Sequence, residues 1–132
     1  MSTSKELFPQ INRPLEYVAF LNFHIPTLEG PAYVFMACDG YSEFAFNIGV
    51  EPDENPESII KAVYRLTENE EFVKHRGNGF TLVFDRWEEL SEQIEAIVMP
   101  VKGKILFSKN FNRKIAKPLI TEISQILGKG ML

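Results

Sequence analysis

The sequence is poor in the residues that staple or metallate small proteins. Cys38 is its one cysteine, so no disulfide can close within the chain, and with only His24 and His75 beside it there is no Cys/His framework for zinc. No apolar run approaches the ~18 residues that a membrane span needs, and Met1 to Gln10 lacks the apolar stretch of a signal peptide. The expectation is a cytoplasmic protein in a reducing compartment, with no membrane contact. No Gly-rich phosphate loop, Ser/His/Asp nucleophile pattern or paired-cysteine motif occurs, which removes the enzyme classes built on them. Low-complexity stretches and long like-charge runs are also missing, so nothing argues for disorder.

What is present describes a packed globule. With 132 residues and 45% apolar content the chain can bury a core of its own, and we expect one domain over 1–132 with residues 1–12 as an N-terminal extension. The net charge of −4 counts against a free-standing DNA binder, because affinity for a polyanion comes mainly from Lys and Arg. The charge is unevenly spread, however. Acids predominate from Glu51 to Glu95, whereas Lys102, Lys104, Lys109, Arg113, Lys114 and Lys117 fill one segment with no acid between them.

Residues 17–25 (YVAFLNFHI) are apolar on both alternating faces except at Asn22 and His24, the pattern of a central strand covered on each side. Residues 33–38 and 44–50 flank Asp39-Gly-Tyr-Ser-Glu43, a turn between two strands. Asn55 as N-cap, Pro56 at the first helical position and Glu57 in the first turn open a helix carried by Ile59, Ile60, Val63, Tyr64 and Leu66. A polar loop over 68–79 follows, then a strand over 80–84 ending at Asp85. Leu90, Ile94, Ile97 and Val98 mark a second helix closing at Pro100, and 104–108 a fifth strand. The last helix carries Leu119, Ile120, Ile123, Ile126 and Leu127, with Pro118 in its first turn. The order is βββαβαβα.

That order, and three stretches of sequence, resemble the catalytic core of DDE transposases and retroviral integrases, of the RNase-H-like superfamily. Arg13-Pro14-Leu15-Glu16-Tyr17 resembles the approach to the family's first strand, Tyr33 to Phe46 its second and third strands, and Phe80 to Asp85 the strand that ends in its second catalytic Asp. The resemblance runs from about Arg13 to Leu127 and implies an α/β fold with a mixed five-stranded sheet flanked by helices. It also implies a site of three carboxylates that hold two divalent cations, Mg²⁺ or Mn²⁺, for in-line phosphoryl displacement. Asp85 matches the second carboxylate, and Glu122, 37 residues on, matches the Glu. The first Asp is absent, and the matching strand offers Asn22 or, two residues on, His24. The family's Asp-Asn-Gly is here Asp85-Arg86-Trp87.

Each of these residues also has an ordinary structural reading. Asn22 and His24 read as hydrogen-bonded core groups, Asp85 equally as the cap of the following helix, and Glu122 as a side chain beside the apolar stripe that reaches water. Trp87 and Cys38 read as packing residues and His75 as a loop residue. An amide in place of the first carboxylate deletes the charge that holds two cations together, and imidazole is a poor Mg²⁺ ligand. The expectation is therefore a non-catalytic, integrase-core-like domain with no cofactor. It retains weak contact with DNA or RNA through the 102–117 basic segment, where Phe107 and Phe111 supply stacking surfaces, although lysines flanking a short edge strand read equally as a guard against aggregation. The alternative is a self-associating interaction module, a homodimer, with no nucleic-acid role. A third reading keeps Asp85 and Glu122 as metal ligands of a nuclease or transposase with altered chemistry.

Overall fold

A computed structural model describes residues 10–126, with side chains through residue 122. Strand β1 (Tyr17–Thr27) is the axis of the fold. Its apolar residues hardly alternate with polar ones because both faces are covered. Val18 and Phe20 enter one core layer with Phe35, Ile48 and Leu82, and Ala19 and Leu21 enter another with Cys38, Val83 and Phe111. Strand β2 (Gly30–Asp39) pairs antiparallel on one side of β1, and β4 (Phe80–Phe84) pairs parallel on the other. Strand β3 (Ala45–Glu51) extends the sheet antiparallel to β2, and β5 (Gly103–Phe107) extends it parallel to β4. The mixed five-stranded sheet so formed has the order β3-β2-β1-β4-β5.

Helices cover both faces. On the first lie α1 (Pro56–Glu68), α2 (Glu70–His75) and α3 (Ser91–Val98), which bury Ile59, Val63, Leu66, Phe72, Ile94 and Val98 against the sheet. On the second lies α4 (Lys109–Ile126), which buries Phe111 and Ala116. The start of α1 is as the sequence predicts: Asn55 accepts from the Ser58 amide at 2.9 Å, the Ser58 hydroxyl receives the Asn55 amide in return, and Pro56 opens the helix. Gly103 is required where β5 leaves the turn after α3. A Cβ there would stand 2.5 Å from Phe80 Cζ and 2.7 Å from Val98 Cβ. Among the described residues no helix is long and apolar enough to cross a membrane.

Several boundaries differ from the sequence reading. The final helix begins at Lys109 rather than beside Pro118, which lies in its interior. Ser108 receives the Phe111 amide at 3.2 Å and so caps that start, and Phe111, Ile115, Ala116 and Leu119 already form one packed stripe before the proline. Residues 68–79 are not all loop. Asn69 receives the Phe72 amide at 3.0 Å and opens α2, and the buried Phe72 ring closes edge-on to Phe46 and Phe80. His75 ends that helix and stands 3.5 Å from Glu71. The prolines at 26 and 31 do not end their strands; they face each other in register, and the β1–β2 connection is only Leu28 and Glu29. The fifth strand stops at Phe107, and Pro100 sits in a 3₁₀ turn (Met99–Val101) that follows α3.

Candidate functional site

Strands β1, β4 and β5 run parallel to one another, and in sheets of this kind the crevice for ligands lies beyond the strands' carboxyl ends. Pairing of β1 with β4 covers Tyr17–Ala19 and Thr81–Val83. Past that point Asn112, from the first turn of α4, takes over: its Nδ2 donates to Phe20 O and to Val83 O, both at 3.0 Å. A buried side-chain amide thus ends the ladder, lets β1 and β4 part, and fixes α4 across the gap. The Asn112 Oδ1 has no hydrogen-bond partner among the described residues.

The gap opens into a cavity of about 370 Å³ lined by Asn22 and Phe23 from β1, Asp85 and Arg86 after β4, and Lys109, Asn112, Arg113 and Ile120 from α4. Asn22 is the partly buried member from β1, and Asp85 is half exposed. The Arg86 guanidinium lies between them. Its Nη2 donates to Asn22 Oδ1 at 3.1 Å and to Glu54 Oε2 at 2.5 Å, and its Nε stands 3.9 Å from Asp85 Oδ1. Glu54 is largely buried, so its bond to Arg86 is better shielded from water than an ordinary surface pair. Trp87 follows in a left-handed conformation, φ 79°, at the position where the resembled family has Gly. The Arg86 guanidinium carbon stands 5.5 Å from the centre of the Trp87 ring.

The structure sorts the residues expected from sequence. Asn22 and Asp85 come together at the cavity. His24 does not line it; it is exposed and stacks on Tyr33 with ring centroids 5.0 Å apart, so it is no core group. Asp85 caps no helix, because the 3₁₀ turn that follows starts after Trp87 and has no side-chain cap. Glu122 is exposed and is not among the cavity residues; two positions past Ile120, it points about 200° further round α4. Among the described residues no three His, Cys, Asp or Glu side chains stand close enough together to hold a metal ion.

The basic segment is also divided. Lys102 and Lys104 border a separate cavity with Arg13, Glu16 and Asn78 where β4 and β5 begin, while Lys109 and Arg113 stand where those strands end. Five residues of β5 put roughly 16 Å between the two places. Lys114 and Lys117 lie on exposed flanks of α4. Phe107 and Phe111 are not free to stack on bases. Phe111 is buried beside Tyr17, and Phe107 packs on Phe84 at 5.9 Å. The ring that does line the cavity is Phe23. Sequence reasoning missed Arg86, Glu54 and Asn112. Only Arg86 had a visible signal, its place directly after Asp85.

No family model matches the sequence, and no curated protein sequence matches it. Solved structures do. The HTLV-2 integrase catalytic core domain in complex with magnesium, in its dimeric form, matches with a TM-score of 0.66 at 11% identity, over 89% of this chain and 72% of that one. An intasome of simian T-cell lymphotropic virus matches at 0.64 and 9% identity, over 98% of this chain and 51% of that one. The catalytic domain of Mos1 mariner transposase matches at 0.59 and 10% identity, over 89% of this chain and 63% of that one. With the sheet order described above, these likenesses show the RNase-H-like fold of integrase and transposase catalytic cores.

Proposed function

We propose that this chain, which has the RNase-H-like fold of integrase and transposase catalytic cores, is a non-catalytic domain that holds a nucleic-acid backbone at the ends of β1 and β4. The observation that carries the reading is the pair of cations on α4. Lys109 and Arg113 are both exposed on the cavity rim, and neither forms an ion pair with any described residue. Unpaired cations beside a cleft are what a phosphate backbone neutralises on binding. Phe23 and Ile120 offer apolar surface next to them for a base. The non-catalytic part is supported by the neutral Asn22 opposite Asp85 and by Glu122 lying off the cavity.

The test is fluorescence anisotropy with labelled single-stranded DNA and RNA across a salt series. The variant Lys109→Glu/Arg113→Glu should weaken binding at least tenfold. It should also make the slope of log affinity against log salt shallower by about 1.4, the contribution of two phosphate contacts on a single strand. Unchanged affinity in that variant would reject the site.

A second reading, self-association, is favoured by a different surface. Exposed Tyr41 and Phe44 stand at the β2–β3 turn, and Phe44 borders an open groove of about 650 Å³ with Pro14, Leu15 and Phe46. A salt-insensitive dimer dissociated by Phe44→Glu would support it.

A further inference from the structure

We infer that Arg86 is a resident cation that takes the place of divalent metal in this cavity, so that the site binds its phosphate ligand without a metal ion. The inference rests on the non-catalytic reading above and gives that reading a physical cause. A site for divalent metal in this fold needs carboxylates facing one another across an opening that a cation can enter. Here the two carboxylates, Asp85 just after β4 and Glu54 in the connection that follows β3, face a guanidinium instead.

Three elements converge on that guanidinium. Asn22 comes from β1, Asp85 from the end of β4 and Glu54 from the connection between β3 and α1. Arg86 is joined to the chain directly beside Asp85, so its charge is always at hand, whereas a dissolved ion must give up water to enter. The planar guanidinium serves Asn22 and Glu54 from one nitrogen, Nη2, and turns a second, Nε, toward Asp85. With Lys109 and Arg113 on the rim, three cations face two carboxylates. The surplus is positive, which suits a phosphodiester and repels Mg²⁺. A metal therefore does not fit the residues present, and the reason is a specific side chain as well as the missing first carboxylate.

These two causes can be separated. Asn22→Asp restores the carboxylate that the resembled family has on its first strand and leaves Arg86 in place. Manganese titration followed by calorimetry should then show no saturable binding in the wild type or in Asn22→Asp, because the added charge pairs with Arg86. Asn22→Asp should also melt at a higher temperature than the wild type. The double variant Asn22→Asp/Arg86→Met keeps an unbranched side chain against Trp87 but frees Asp85 and Glu54, and should bind Mn²⁺ saturably where neither of the other two proteins does. Saturable binding by the wild type that Asp85→Asn removes would overturn the inference, as would binding by Asn22→Asp alone. A folded double variant that binds no Mn²⁺ would overturn it too. Should the double variant not fold, Asn22→Asp alone still decides.

Oligonucleotide affinity measured in EDTA separates this inference from the reading beneath it. Affinity equal to that in Mg²⁺ at matched ionic strength is expected. No affinity in either buffer would reject nucleic-acid binding and leave the role of Arg86 to the metal titration. Affinity restored only by Mg²⁺ would overturn the resident cation.

Discussion

Cys38 lies at the carboxyl end of β2, buried between the sheet and α4, with its thiol directed at the Glu43 carbonyl 3.5 Å away. Burial, reinforced by the negative charges of Asp39 and Glu43, pushes this thiol up from 9.0 to about 11. The folded protein thus keeps the proton that the unfolded chain gives up. Below pH 9 the group is neutral in both states and its contribution to stability is complete; from about pH 9 to 11 only the unfolded chain ionises, and stability falls. Chemical denaturation across that range should show the decline, and Cys38→Ala should flatten it. At pH 8 the native thiol should react with a disulfide reagent far more slowly than in denaturant. The packing role of Cys38 is legible from its place in an apolar run. The role of Arg86 is not, because its strongest partner, Glu54, stands 32 residues earlier in a turn with no periodicity to mark it.

Helix α4 does most to shape the site, and it is the element whose beginning the sequence conceals. Its first two turns carry three of the basic residues that read as a solvated segment, and Pro118 suggests a start rather than an interior position. What holds those turns is a pair of buried anchors, the Phe111 ring and the Asn112 amide. Replacing Asn112 by Ala leaves the carbonyls of Phe20 and Val83 buried with one donor fewer between them. We expect a loss of about 2–4 kcal/mol in urea unfolding, with Asn112→Asp at least as damaging because its carboxylate would face two carbonyl oxygens. The same kind of concealment explains α2, where one buried residue, Phe72, orders a stretch that is otherwise polar. The strands are legible because burial on both faces writes a continuous apolar run, and α1 because its cap, proline and apolar stripe agree.

At the scale of the molecule the sheet has a cavity at each end, and position along the chain is a poor guide to which cavity a residue borders. Lys104 and Lys109 are close in sequence but border different cavities. The double variant Lys102→Glu/Lys104→Glu changes net charge as much as Lys109→Glu/Arg113→Glu does, yet it should alter oligonucleotide affinity by less than about threefold, since charges roughly 16 Å away lie beyond a Debye length of about 8 Å. Equal losses from both variants would mean that overall charge, rather than the cavity, governs binding. The chain's only tryptophan, Trp87, sits at the carboxyl end of the sheet with the Arg86 guanidinium 5.5 Å from its ring centre. An excited indole shifts its electron density across the ring, and its emission follows the local electric field. The protein thus carries its own optical reporter, and anything that moves or neutralises Arg86 changes the colour of a single chromophore without a label.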